Sequence, residues 1–208
     1  MKKLSLMIVA GILASLMNAA MAQKITVKSG SLDFLKSLEV LKVEYNYEGL
    51  SVGDFKVEND YVQHRVSEMN TKEPGTGDKW KESWFSDRAA RYQPRFETEM
   101  NNMLTERVIP FRVDPNANAK YTMIFKTLFI EPGFNVGMAR KDAYINAELT
   151  FFETGNPGNV VAKILIEKSP GRVAMGMDFD TGMRIQEAYA KAGKELAQFI
   201  WKNLFAKK

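Results

Sequence analysis

The chain has 208 residues, with 29 Lys or Arg against 25 Asp or Glu, one His and no Cys. Without cysteine it can hold no disulfide framework, no thiolate metal site, no cysteine nucleophile, and no lipid anchor of the kind that needs cysteine at the cleavage site. A formal charge of +4 is no nucleic-acid signature, which requires basic residues gathered on one face.

In chain order, Lys2 and Lys3 precede the uncharged run LSLMIVAGILASLM, which leads to a small-x-small site at Ala20-Met21-Ala22. That order of features predicts a secretory signal peptide over residues 1–22. The run is shorter than the roughly 20 apolar residues that span a bilayer. Cleavage before Gln23 leaves about 186 residues, enough for one domain with a core that needs no covalent staples. Taking Lys2 and Lys3 from the 29 basic residues leaves 27 against 25 acids, a net +2. No repeat, linker or later apolar span interrupts residues 23–208, so a single domain is expected, exported to the periplasm or beyond, with no transmembrane segment.

From Leu38 to Leu50, Val43, Tyr45 and Tyr47 alternate with Lys42, Glu44, Asn46 and Glu48, which predicts a half-buried strand. Phe55, Val62, Val66 and Met69 then follow mostly helical spacing, with Asp54 as a candidate N-cap. Beyond Pro74-Gly75, the residues Trp80, Trp84, Tyr92, Phe96, Met100, Met103 and Leu104 predict further helix, interrupted or kinked at Pro94. Three segments of period two follow, through Tyr121–Phe125, Ala143–Phe151 and Val160–Ile166. The turn residues ETGNPGN make the last two an antiparallel hairpin. The chain ends in an amphipathic helix with Asp180 as its cap, a stripe of Ile185, Ala188, Tyr189, Ala192, Leu196, Phe199, Ile200 and Leu204, and Lys207 and Lys208 to complement its dipole. Together these predict an α+β fold: one mixed or mostly antiparallel sheet, helices mainly on one face, and a long C-terminal helix.

The stretch KEPGTGDKWKESW, residues 72–84, has the composition of a phosphate-binding loop but not its spacing. Gly75, Gly77 and Lys79 are misplaced, Trp80 stands where a hydroxyl would hold magnesium, and no strand precedes it. Helix ends explain it better, with Pro74-Gly75 closing one helix and Asp78 capping the next. The cations Arg88, Arg91 and Arg95, interleaved with aromatics, offer a second reading as a binding face for acidic or stacking ligands. Amphipathicity favours a buried aromatic stripe under a solvated basic face. His64 lies within a periodic helix with no nucleophile marked beside it, so it reads as a surface residue. Asp178 and Asp180 resemble the start of a calcium loop, but the later ligands and glycine are misplaced. Met175, Met177 and Met183 could bind Cu(I) as thioethers, though core packing is the simpler use of methionine. No cofactor and no metal is expected.

The segments IEPGFNVG, TGNPGNVVAKI and DTGMRIQEAYAKAGKELAQFI resemble uncharacterised exported α/β proteins of Gram-negative bacteria. More remotely, the pattern is similar to TolB N-terminal-type and cell-envelope accessory modules. The resemblance covers most of the chain after residue 22 and carries no active-site motif. It implies an envelope location and a binding role, and it transfers no functional residue.

The expectation is therefore a non-enzymatic protein that binds an envelope protein or polymer through loops or a sheet edge, in an oligomeric state left open. The candidate surface is FIEPGFNVGMARKDAY, where Phe134 and Val136 project from a Gly-rich connection beside Arg140 and Lys141. The alternative is a hydrolase of an envelope polymer using an Asp/Glu pair about 5 to 9.5 Å apart.

Overall fold

The computed structural model describes residues 23–136, 139–172 and 180–206. The predicted signal peptide, Met175, Met177, Asp178, Lys207 and Lys208 lie outside them. The strands are β1 Lys24–Gly30, β2 Val40–Asn46, β3 Ser51–Val52, β4 Arg112–Val113, β5 Tyr121–Glu131, β6 Phe134–Val136, β7 Ala139–Lys141, β8 Ala143–Glu153 and β9 Asn156–Gly171. The helices are α1 Glu58–Lys72, α2 Thr76–Asp87, α3 Gln93–Glu106 and α4 Thr181–Ile200.

Among the described residues, seven strands form one mixed sheet in the order β1-β9-β8-β5-β2-β4, with β3 also paired to β5. The β1–β9, β9–β8 and β8–β5 pairs are antiparallel, whereas β2 and β3 run parallel to β5. Lys42–Asn46 pair with Thr122–Lys126, and Ser51–Val52 with Phe129–Ile130. Because β8 occupies the other edge of β5, β2 and β3 are two pieces of one interrupted neighbour. The expected α+β class, with a single mixed sheet and a long C-terminal helix, is the observed one.

Period two sets the buried face. Along β8, Ala143, Ile145, Ala147, Leu149 and Phe151 are buried while Tyr144, Asn146, Glu148 and Thr150 are half-buried, the alternation expected when helices cover only one side. Phe125 of β5 meets Phe96 of α3 at 4.8 Å and Tyr189 of α4 at 5.4 Å between ring centroids. The Tyr189 hydroxyl lies 2.5 Å from Thr127 Oγ1, so a buried phenol is satisfied within the core. Gly193 lets α3 and α4 close on each other, since a Cβ there would stand 2.3 Å from the Phe96 carbonyl oxygen.

Several local expectations are corrected. The helical run is interrupted near Pro94 as expected, but by a single π-helical turn, Arg88–Tyr92, just before it, so that Pro94 sits in the first turn of α3, where the ring and the missing N–H are accommodated. Asp54 is not a helix cap, because Val57 occupies that position and α1 starts at Glu58. Nor does Asp78 cap α2. Gly75, at φ +85°, is the N-cap, and the Asn70 side chain of α1 accepts from the Gly77 N–H at 2.8 Å, so the preceding helix supplies the cap. The first predicted strand is shorter than its alternation and resumes as β3. On α4, Asp180 does cap, accepting from the Gly182 N–H at 2.7 Å. Phe199 and Leu204 are only half-buried, and Met183 is exposed rather than packed in the core.

Candidate functional site

Parallel β2 and β3 carry the chain to one end of the sheet, and α1 begins directly after β3. β5 ends at the same pole, and the segment after it meets the first turn of α4. In open sheets, the carboxyl ends of parallel strands are where side chains from several elements converge with no sheet above them. Two features of this chain meet there: a small ribbon and a cleft.

The ribbon is the segment singled out in the sequence, but it is a hairpin rather than an irregular loop. β6 and β7 pair antiparallel, with Phe134 opposite Lys141, Asn135 opposite Arg140 and Val136 opposite Ala139. Residues two apart, and residues directly opposed, share a face. Phe134, Val136 and Ala139 therefore lie on one face with Lys141, and Asn135 and Arg140 on the other. Phe134 is 45% exposed and Val136 71%, so this apolar face covers no core.

The base of the ribbon is fixed. Glu131 is buried and accepts from Lys141 Nζ at 2.6 Å and from the Gly133 N–H at 3.1 Å. The hydrogen bond to Glu131 holds the Lys141 ammonium above its usual range. Arg140 Nε and Arg172 Nε both donate to Asp142, each at 3.1 Å. Gly133 has φ +63°, and a Cβ there would stand 2.4 Å from the Lys141 carbonyl oxygen, which confines this crossing to glycine. Arg184, 3% exposed on α4, donates to the carbonyls of Pro132 and Gly133. Sequence reasoning missed this arginine, although a signal was present: it stands four residues before Ala188, on the apolar stripe.

The cleft, of about 270 Å³, lies between α1, α2 and the N-terminus of α4, with Trp80, Trp84, Asp87, Tyr92, Asp180 and Gly182 among its lining residues. Arg91 bridges its two carboxylates, with Nε 3.0 Å from Asp87 Oδ1 and Nη1 2.7 Å from Asp180 Oδ2. Burial raises the Asp87 pKa above the usual carboxylate range, against the pull of Arg91. Burial also acts upward on Asp180, but the hydrogen bonds from Arg91 and the Gly182 N–H outweigh it and hold that group low. Gly182 permits the close approach, since a Cβ would stand 2.1 Å from Asp87 Oδ2.

The three arginines of the sequence-predicted basic face each have acidic partners. Arg88 pairs with Glu58, which also accepts from Trp84 Nε1 at 2.7 Å, and its guanidinium stands 4.1 Å from the centre of the Tyr47 ring. Arg91 serves the cleft. Arg95 lies 2.9 Å from Glu99 and 3.5 Å from Glu187. Phe134, Val136, Arg140 and Lys141 are thus brought together in one ribbon, while Arg88, Arg91 and Arg95 are divided among separate ion pairs. His64 is exposed on α1, its ring 5.3 Å from that of Phe55. Among the described residues, no group of three or more acidic or histidine side chains is arranged to hold a metal, and no helix is long and apolar enough to cross a membrane.

No family model and no curated protein matches the chain. Among solved structures, the PelC dodecamer from Paraburkholderia phytofirmans is similar at 14% identity, over 85% of this chain and 98% of that one, with a TM-score of 0.38. A second crystal form of PelC from the same organism, carrying a single substitution, is 13% identical over 89% of this chain and 100% of that one, with a TM-score of 0.41. Protein XCC0632 from Xanthomonas campestris is 10% identical over 84% of this chain and 90% of that one, with a TM-score of 0.36. The likeness to TolB-type modules stays one of sequence pattern, and the chain remains described by its own geometry: an α+β domain presenting an anchored apolar ribbon beside an arginine-bridged acidic cleft.

Proposed function

We propose that this is a non-enzymatic, exported binding protein whose β6–β7 ribbon contacts a component of the cell envelope. One observation carries the reading: an apolar ribbon face with Phe134 and Val136 exposed, on a base held by Glu131, Lys141, Gly133 and Arg184. An anchored apolar projection is a poor use of residues in a free monomer but a good recognition element. It loses little conformational freedom on binding and buries apolar area when covered. The export half rests on the N-terminal pattern of Lys2, Lys3, the apolar run and Ala20-Met21-Ala22.

The hydrolase alternative is less well supported, although a carboxylate-lined cleft exists. A glycosidase pair stands on either side of a scissile bond with one carboxyl free to give a proton and the other free to receive charge. Here Arg91 joins Asp87 to Asp180, and Asp180 is committed to capping α4.

The test places a photo-reactive phenylalanine analogue at Phe134 or Val136 in the full-length chain and identifies adducts by mass spectrometry after irradiation of intact cells. A single envelope component, lost when the other of the two residues is changed to Ser, is the expected result. Folded, exported protein that yields no specific adduct from either position overturns the ribbon as the contact, and Arg88, Arg91 and Arg95 become the next surface to probe.

A further inference from the structure

We infer that Arg184 is the positioning residue of the binding ribbon: from the first turn of α4 it holds the β6–β7 hairpin in one pose, so that the ribbon acts as a rigid prong. The inference rests on the proposed role of the ribbon, and goes beyond it by assigning the control of that surface to a residue that does not lie on it.

The geometry is specific to a guanidinium. Arg184 Nε donates to the Pro132 carbonyl at 3.1 Å, and Nη2 donates to the Gly133 carbonyl at 3.2 Å and to Thr181 Oγ1 at 2.9 Å. Two successive carbonyls at the root of the ribbon are thus held by one planar fork. An ammonium is a single point of donation and cannot reproduce the spacing of that fork. The side chain is 3% exposed, and a buried cation is tolerated only where its donors are satisfied, which ties the pose of the carbonyls to the burial of the charge.

The elements on either side leave little slack. Gly171, at the end of β9, lies so close to α4 that a Cβ would stand 2.0 Å from the Arg184 carbonyl oxygen, so the first turn of the helix is pressed on the sheet. Thr181, which receives the third donor, directly follows the Asp180 cap. On the other side, Gly133 crosses the Lys141 backbone at a separation that excludes any Cβ. The arginine therefore connects two rigid bodies, the seated helix and the tight crossing. Its own short ladder, the Glu131–Lys141 pair and the Arg140–Asp142 pair hold the rest of the root.

Hydrogen exchange on the folded protein tests this without needing the partner. In Arg184→Met, the amides of Phe134–Val136 and Ala139–Lys141 should lose at least tenfold in protection, while those of β5 and β8 change less than twofold. Arg184→Lys should fall between, and it supplies the same comparison if the Met variant fails to fold. Unchanged ribbon protection overturns the inference. So does a uniform loss over ribbon and sheet, which would make Arg184 an ordinary core contact. The two readings fail separately. If Arg184→Met loosens the ribbon and the photo-adduct at Phe134 never forms in any version, the positioning role stands and the contact is wrong. If the adduct forms and the ribbon stays protected in Arg184→Met, the contact stands and the positioning role is wrong.

Discussion

The two hairpins of this protein make opposite use of the same alternation. In β8–β9, one face carries Ile145, Leu149, Phe151, Ile164 and Ile166, all buried, and α4 packs against both strands. In β6–β7, one face carries Phe134, Val136 and Ala139, and their side chains are exposed. The first hairpin gains free energy by leaving water, at about 1.5 to 3 kcal/mol for each large side chain covered. The second gains nothing of the kind within the monomer, and holds its shape through polar contacts at its root. Apolar alternation therefore marks a face to be covered, without saying whether the cover comes from the same chain.

The sharpest way to break this comparison is to truncate one side chain in each ribbon. Ile145→Ala should cost about 2 to 5 kcal/mol of unfolding free energy, because it leaves a cavity in a packed core. Phe134→Ser should change stability by less than about 0.5 kcal/mol, as exposed substitutions do. Chemical denaturation of both variants reads the difference directly. Equal losses would place Phe134 in the core and remove the distinction.

A somewhat smaller effect is expected at the junction between the two hairpins. Gly133→Ala forces a side chain onto φ +63° and against the Lys141 carbonyl, and should cost about 1 to 3 kcal/mol through backbone strain. Exchange should show the damage spreading from the ribbon root into the start of β8, where Ala143 N is another close neighbour of that Cβ.

Exposure alone does not imply a contact, and Val108 sharpens that point. It is 88% exposed with φ +54° at the end of α3, where Ile109 N–H bonds back to the Leu104 carbonyl. A β-branched residue in left-handed backbone is unfavourable by about 1 to 2 kcal/mol. Val108→Gly should raise stability by about 1 kcal/mol once the entropy of glycine is counted. If thermal unfolding shows a loss instead, Val108 makes a contact of its own.

The smallest effects are electrostatic and sit in the cleft beside the ribbon. Asp180 has a lowered folded pKa. Its contribution is present above its unfolded value, near 3.9, and is lost as pH falls through the folded value. Asp87 is raised, so its contribution is present below its unfolded value and is lost as pH rises through the folded one. Midpoint temperatures measured from pH 3 upward should therefore decline less, or rise, with pH in Asp87→Asn than in the parent just above pH 4. In Asp180→Asn the acid-side loss should shrink instead. Parallel curves for the three proteins would show that Arg91 does not discriminate between the two carboxylates.

Much of the fold was legible because its elements obey short-range periodicity. The alternation through Ala143–Phe151, the stripe from Ile185 to Ile200 and the Asp180 cap each follow from residues within a few positions of one another. Elements whose partners lie far away along the chain were not. Among the described residues, β1 pairs only with β9, and β4 is two residues long beside β2, so neither carries enough pattern to stand out. The cap of α2 is missed for the same reason, since Asn70 belongs to the previous helix.

At the candidate site, the sequence by itself determined that Phe134 and Val136 lie in a segment bounded by Pro-Gly and by Arg140-Lys141, and that no cysteine or histidine cluster could make it a metal or thiol centre. Only the tertiary structure decided that the segment is a ribbon and that Arg184 reaches its root from 51 residues away. It alone placed Arg91 between Asp87 and Asp180, bonded across 89 positions to the latter. The physical reason is that alternation and capping are local properties of backbone geometry, whereas a buried charge finds its acceptors wherever packing brings carbonyls and carboxylates together.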